Sequence, residues 1–280
     1  MFKLGKPCNH FKLYNFSHMF IYIITFILGS VIGSFLNVCI YRMPRKLSLV
    51  FPSSRCPDCG IPIKPYDNIP ILSYLFLGGK CRVCKSGISF RYPLVELLNA
   101  AFYVMVLWRF GLGWDTVFYF IFCSAFIVIT FIDVDFQIIP DRITLPGIPL
   151  GLLAGSFLLP DPFMRYELLG IKSSFIGAAA GFGLYALIAT AGYRIFKKEA
   201  MGGGDIKMMA MVGGVLGWKG VILTTFLGSL TGSIIGILLL LVRGREKGSL
   251  IPFGPFLALG SLITLFYGQE ILTWYLTGLF

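Results

Sequence analysis

Acidic side chains are the scarcest chemistry in this chain: 13 Asp and Glu stand against 24 Lys and Arg in 280 residues, and charged residues make up only 13% of the whole. Long polar stretches are missing too. Apolar residues reach 56% and the mean hydropathy is +0.82, far above a soluble domain, so the chain is an integral membrane protein that has the lipid bilayer as its solvent. At about 20 apolar residues per helical crossing, such a chain holds at most about nine crossings and a modest polar segment. A large ectodomain is excluded, and the chemistry sits in or beside the bilayer. There is no internal repeat and no low-complexity tract. The excess of base flanks apolar spans, which suits an anionic membrane face and argues against a nucleic-acid partner.

The first apolar run, Met19 to Tyr41, is long enough to span and follows a tail carrying Lys3, Lys6, Lys12, His10 and His18. It lacks an Ala-x-Ala site and exceeds the usual length of a signal-peptide core, so it reads as a signal anchor. From Arg42 to Arg91 the composition turns polar, with six prolines and four cysteines. Further crossings are expected at 95–112, 115–133, 143–160, 172–193, 206–217, 220–242 and 253–278, about eight in all. The sixth is short, and Gly213, Gly214 and Gly217 blur its end. Seventeen of the 24 basic residues fall on the side of the 42–93 segment, so the positive-inside tendency makes that segment cytoplasmic.

Cys56-Pro-Asp-Cys59 and Cys81-Arg-Val-Cys84 form two C-x-x-C pairs 21 residues apart. Each pair can wrap one edge of a tetrahedral Zn²⁺, with Gly60 and Gly87 permitting the turn that follows. A segment of about 50 residues buries little core, so a metal staple also answers a need for stability. Two disulfides or a redox dithiol are the alternatives, and a cytoplasmic placement disfavours the disulfides. Four thiolates leave no open position on the metal, which makes it structural. Cys8, Cys39 and Cys123 have no partner at ligand spacing.

With acids so few, one at the end of an apolar span is informative. Asp133 closes the third crossing, with Asp135 and Asp141 just beyond it. Asp205 follows Gly202-Gly203-Gly204 at the start of the sixth, on the same side of the membrane. The glycines allow close approach, and a helix start favours a carboxylate. Two aspartates brought together do not both ionise easily, so one holds a proton while the other activates water against a peptide carbonyl. The plainer reading is an N-cap for Asp205 and a solvated helix end for Asp133. Asp135 reads as a loop charge and Asp141 as the N-cap of the fourth crossing. An ion-coupled transporter using Asp133 and Asp205 is the rival function, although the chain lacks paired interrupted spans in matching halves. A zinc-knuckle scaffold without catalysis is a third.

Several ordered motifs carry a resemblance. These are Gly33-Ser-Phe-Leu-Asn-Val-Cys-Ile-Tyr-Arg-Met-Pro44, Ser54-Arg-Cys-Pro-Asp-Cys-Gly60, Tyr66-Asp-Asn-Ile-Pro70 with Leu72-Ser-Tyr74, Gly79-Lys-Cys-Arg-Val-Cys84, Arg91-Tyr-Pro-Leu-Val-Glu96, Phe131-Ile-Asp133 with Ile139-Pro-Asp-Arg-Ile-Thr-Leu-Pro146, and Met201-Gly-Gly-Gly-Asp-Ile-Lys207. Together they resemble the type IV prepilin peptidases, the bifunctional prepilin leader peptidase/N-methyltransferases, over nearly the whole chain after the tail.

The resemblance implies a membrane aspartyl protease of the G-x-G-D kind. It would cut the leader of type IV prepilin or pseudopilin precursors after Gly at the cytoplasmic face of the bacterial inner membrane, then methylate the new N-terminus with S-adenosylmethionine. It makes Asp133 and Asp205 the catalytic pair and Cys56, Cys59, Cys81 and Cys84 the Zn²⁺ ligands. Donor binding falls within Arg42 to Glu96, where no glycine-rich nucleotide loop is visible. The expected fold is an all-α polytopic membrane protein with a small zinc-stapled cytoplasmic domain between helices 1 and 2. Its parts are a tail at 1–18, the first transmembrane helix at 19–41, the four-Cys domain at 42–95 and a seven-helix membrane peptidase domain at 96–280.

Among the remaining marks, Gly29-x-x-x-Gly33 and Ser30-x-x-x-Ser34 read as helix-packing faces. Asn37 and Glu96 read first as polar residues at membrane edges; a role for Asn37 as an interhelical hydrogen bonder, and for Glu96 in holding the methyl donor or a basic leader, is the lesser alternative. Trp108, Trp114, Tyr267 and Trp274 read as interfacial anchors.

Overall fold

A computed structural model describes residues 10–164, 167–197, 201–243 and 252–278. The start of the tail, residues 1–9, and the stretch that includes Arg245 and Lys247 lie outside the described residues. Eight helices follow one another: α1 (His10–Arg42), α2 (Leu72–Phe76), α3 (Arg91–Phe110), α4 (Trp114–Phe136), α5 (Asp141–Phe157), α6 (Gly170–Phe196), α7 (Gly203–Arg243) and α8 (Gly254–Gly278). No β-strand occurs among the described residues, only three isolated bridges.

Among the described residues six helices are long and apolar enough to cross a membrane, so the chain is a multi-pass membrane protein. The crossings expected at 206–217 and 220–242 are the two parts of α7, which breaks at Gly217 (φ 70, ψ 178). The apolar stretch of this element is 40 residues, or about 60 Å, twice the thickness of a hydrocarbon core, so it cannot be one straight crossing. A left-handed φ there suits glycine alone. The fourth expected crossing is α5, with 17 residues and two internal prolines, Pro146 and Pro149. Among the described residues the six candidate spans, the break in α7 and the shorter α5 together roughly fit the about eight crossings that the hydropathy pattern predicts.

The chain divides into two compact units, one of residues up to Val38 with Pro52–Leu112, the other of Cys39–Phe51 with Gly113–Phe280. In the first, α1 and α3 approach through small residues. A side chain added at Gly29 would lie 2.7 Å from Ala100 Cα, and one at Gly33 equally close to Glu96 Cα. Asn99 Nδ2 donates to Gly29 O at 2.7 Å and Asn37 Nδ2 to Tyr92 O at 3.1 Å. The packing role expected for Gly29 and Gly33 and the hydrogen-bonding alternative for Asn37 are therefore observed. In a bilayer, where lipid competes equally for apolar surface, close backbone approach and interhelical hydrogen bonds supply the association.

The second unit is built around α7. Gly147, Gly151 and Gly155, four residues apart on one face of α5, meet Met211, Val215 and the Gly214 carbonyl. Gly177 and Gly181 of α6 meet the carbonyls of Gly213 and Met209. Ser174 Oγ adds a hydrogen bond to Gly214 O at 2.7 Å. Beyond the break, Gly228 of α7 and Gly260 of α8 lie backbone to backbone, 3.0 Å from an added Cβ on Gly260 to Gly228 N. Tyr119, Tyr185, Phe126 and Leu265 fill the interior.

Candidate catalytic and metal sites

The acids and the cysteines occupy different units. Asp133 sits one turn before the end of α4, where Gln137 adopts a left-handed conformation and its N–H returns to Asp133 O at 2.9 Å. The Asp133 side chain is buried, and its Oδ2 accepts the Gly254 N–H at 3.0 Å. Gly254 is the first residue of α8, so this carboxylate faces the positive end of a helix. The sequence reading missed that partner. Its signal was Gly254-Pro255 opening an apolar span, a common helix start.

Asp205 stands in the first turn of α7, behind Gly202 and the helix-opening Gly203 and Gly204. Its N–H donates to Gly202 O at 3.2 Å. Oδ1 is buried and has no hydrogen-bond partner among the described residues. The two acids are drawn together by the α4–α5 linker. A Cβ on Gly204 would lie 2.7 Å from Ile139 Cβ, while one on Gly254 would meet Ile139 Cδ1 at 3.2 Å and Asp133 Oδ2 at 2.6 Å. Ile139 thus touches the starts of both α7 and α8, the two helix ends beside which Asp205 and Asp133 stand. Side chains at 204 or 254 would wedge the arrangement apart.

Asp141 is not the cap foreseen for it. Pro140 occupies the N-cap of α5, and Asp141 is its first helical residue. Its carboxylate takes both oxygens to Lys207 Nζ, at 2.7 and 2.9 Å, tying the start of α5 to the start of α7 two residues beyond Asp205. Asp135 is exposed but is not the loop charge foreseen: α4 runs to Phe136, which places it in the last helical turn. Arg45, also unforeseen, donates to Tyr41 O at 2.7 Å and lies over the rings of Tyr41 and Phe136 at 4.1 and 5.0 Å. It braces the end of α4 three residues past Asp133.

In the first unit, Cys56, Cys59, Cys81 and Cys84 bring their sulfurs within 4.8 Å of one another. Cys56 Sγ and Cys84 Sγ are 3.7 Å apart, far beyond a disulfide bond and close to the edge of about 3.8 Å that a tetrahedron with 2.3 Å metal–sulfur bonds requires. All four cysteines are free thiols, so the disulfide alternative fails. The two pairs form matching knuckles. Cys56 N–H bonds Ile61 O and Gly60 N–H returns to Cys56 O; Cys81 N–H bonds Ser86 O and Lys85 N–H returns to Cys81 O. Gly60 carries the expected positive φ of 69, but the second turn places it on Lys85 (φ 60) rather than Gly87. The position after the second cysteine decides this, and Lys85 holds it at a strain cost that four converging thiolates can offset.

Electrostatics prepare the cluster for a cation. The backbone N–H groups of Cys59 and Asp58 lower the Cys56 thiol to about 6, while the Cys59 thiol, against its bond to the Ile61 backbone, is raised to about 11 by burial and the neighbouring Cys56 and Cys84 sulfurs. Ser86 Oγ, 3.0 Å from Cys84 Sγ and 3.7 Å from Cys56 Sγ, lowers Cys84 as well, acting as an outer partner of two ligands. Arg82 binds Asp67 through Nε and Nη2 at 2.6 to 3.0 Å and holds that carboxyl below its ordinary range. Donor set and spacing suit a soft tetrahedral metal ion.

Glu96 is occupied internally: its Oε2 accepts the Ile71 N–H at 2.7 Å. Ile71 has φ 61, an unusual state for a β-branched residue. Ser73 Oγ completes the turn by accepting from Ile69 N–H and donating to Tyr66 O. The 66–74 motif is therefore a folded loop clamped to α3, which its linear sequence did not reveal.

Residues 27–110 match the family model described as Bacterial Peptidase A24 N-terminal domain, and residues 120–237 match the Type IV leader peptidase family. The chain belongs to the type IV leader peptidase family. Among its relatives, the prepilin leader peptidase/N-methyltransferase of Pseudomonas aeruginosa is 38% identical, with 90% of this chain and 92% of the relative covered. That of Aeromonas hydrophila is 38% identical over 91% and 93%, and that of Neisseria gonorrhoeae 35% over 90% and 93%. No solved structure matches the chain. Membership of this leader peptidase family makes the chain an enzyme and sets the transporter alternative aside. The four cysteines fall in the first matched region, and Asp133 and Asp205 in the second.

Proposed function

We propose that this enzyme is a membrane aspartyl endopeptidase that removes the leader of prepilin-like or pseudopilin-like precursors after a Gly. On this reading it then methylates the new N-terminal residue from S-adenosylmethionine. The observation that supports the peptidase assignment is the placement of two scarce carboxyl groups, Asp133 beside Gly254 and Asp205 next to Gly204, on helix ends that share contact with Ile139, with one buried Asp205 oxygen unpartnered among the described residues. One carboxyl takes a proton from water, and the water oxygen attacks the carbonyl carbon of Gly. The other carboxyl gives its proton to the departing amine as the peptide bond breaks. Both groups stand at the ends of apolar helices, where a substrate with a polar leader and an apolar stem meets them at the membrane edge.

Cys56, Cys59, Cys81 and Cys84 would hold Zn²⁺ as a structural ion, closing the two knuckles. The methyl-transfer site belongs to the Arg42–Glu96 region, the largest polar surface available for the donor. There the new amine, once it loses its proton, takes the methyl group. The excess of basic residues on the side of the four-Cys segment supports a cytoplasmic placement of that domain and of the aspartates, at the bacterial inner membrane.

The experiment is a single mixture of purified full-length protein in detergent and a peptide with a Lys-rich leader, a Gly and an apolar stretch beginning with Phe. It is followed by mass spectrometry with and without S-adenosylmethionine. Cleavage after Gly in both samples and a methyl mass increment only with the donor is the expected result; an intact peptide would overturn the reading.

A further inference from the structure

Helix α2 is built inside out for a water-facing domain. Its one buried side chain is the polar Ser73, while Leu72, Leu75 and Phe76 are 50%, 66% and 86% exposed. The helix is also firmly held. Ile71, immediately before it, donates its N–H to Glu96 Oε2 at 2.7 Å, and Tyr74 meets the Phe90 ring edge-on at a centroid distance of 6.3 Å. These anchors fix its height. Glu96 lies five residues, or about 7.5 Å, beyond the start of α3. The apolar span of α3 is only 20 residues, all of which are needed to cross a hydrocarbon core. A helix bonded at that level lies beside the lipid boundary rather than above it in water. Phe90, 66% exposed at the head of α3, continues the same apolar surface.

We propose that α2 is an in-plane wedge whose Leu72, Leu75 and Phe76 enter the headgroup–acyl boundary of the leaflet and seat the four-Cys domain on the membrane. The occupant is lipid because the exposed side chains of α2 are apolar and α2 is tied to Glu96, beyond the first turn of α3, a helix long and apolar enough to cross the bilayer. Short segments of this kind enter a leaflet by about 5–10 Å. Nothing in the inference depends on the peptidase or methyltransferase assignment, so the two stand or fall separately.

The test uses the full-length protein in nanodiscs whose acyl chains are either unmodified or brominated near the headgroup. Tryptophan emission of Phe76→Trp and of Val83→Trp is read as a difference from the parent, which cancels the four native tryptophans. Val83 is exposed on the second cysteine knuckle, off α2. The expected result is a blue-shifted signal at position 76 that is largely lost in brominated lipid, with little loss at 83. Leu75→Trp supplies the same reading if the first variant does not fold. Emission at 76 that brominated lipid leaves unchanged overturns the proposal. Red-shifted light would then mean water, and blue-shifted light a protein cover, either a second copy or the substrate stem. Equal loss at 76 and 83 overturns it as well, since α2 would then have no special role.

Discussion

The four-Cys segment and the bundle around α7 hold their shapes by opposite means. Between residues 52 and 90 only Cys56 and Ser73 are buried, so packing contributes little and order comes from converging thiolates, the Ile71–Glu96 clamp and turn hydrogen bonds. The bundle instead buries whole faces of α4, α6, α7 and α8, and lets backbones touch through glycines. In the first region a few strong, local bonds carry the fold; in the second, many weak contacts do. Damage to the first should be all-or-none and chemical, whereas damage to the second should be graded and steric.

The largest effect follows from removing the metal or its ligands. Cys56→Ser with Cys59→Ser should unfold the 52–90 segment, since structural zinc sites contribute roughly 10–16 kcal/mol in small domains. Limited proteolysis should cut that segment while the bundle stays intact, and methyl transfer should fail before cleavage does. Acid should act in the same direction. Cys56 is lowered in the folded state from 9.0 to about 6, so its contribution is fully present above about pH 9 and is lost as pH falls through about 6. Protease resistance of the segment should fall as the solution is made acidic; purified protein without bound zinc would contradict the proposed metal role.

The sharpest test of the bundle is Gly213→Leu. An added Cβ there runs into the Gly177 carbonyl and lies 2.9 Å from Ala178 N, and overpacking of this kind costs about 3 kcal/mol. Thermal unfolding in detergent should shift down with zinc content unchanged, which separates the two regions cleanly. A smaller effect is expected from Glu96→Leu, which strips the Ile71 N–H of its acceptor and costs roughly 1–3 kcal/mol locally. Glu96→Gln keeps an acceptor and should restore most of the protection of residues 71–76 in hydrogen exchange; equal protection in both variants would mean the clamp is idle. The smallest is Lys207→Met. The Lys207–Asp141 pair is 34% and 55% exposed, so its loss should cost about 1 kcal/mol or less in stability and lower cleavage only a few-fold.

How much of this was readable in the sequence differs between the same two regions. Apolar runs predict the long membrane helices because their lengths are set by the bilayer, and the cysteine spacing predicts the four-Cys cluster because both knuckles are local. What escaped depends on contacts far apart in the chain. Asp133 lies 121 residues from the N–H of Gly254 that it accepts, and Lys207 lies 66 from Asp141, so neither partnership leaves a periodic or spaced trace. Gly217 was seen as a blur rather than a break, since one glycine among several carries no mark of its φ. The left-handed turn at Lys85 was assigned to Gly87 because composition favours glycine there, whereas matching the two knuckles position by position would have found it.

The central claim is that Asp133 and Asp205 act as one unit on the peptide bond while methyl transfer is carried by the other region. It is tested most directly by assaying Asp133→Asn and Asp205→Asn side by side, for cleavage of an uncut peptide and for labelled-methyl transfer to a mature peptide beginning with Phe. The account predicts a loss of cleavage of about 10³-fold or more in each, with methyl transfer retained. Near-normal cleavage in either variant, or loss of methyl transfer in a well-folded Asp133→Asn protein, would contradict it.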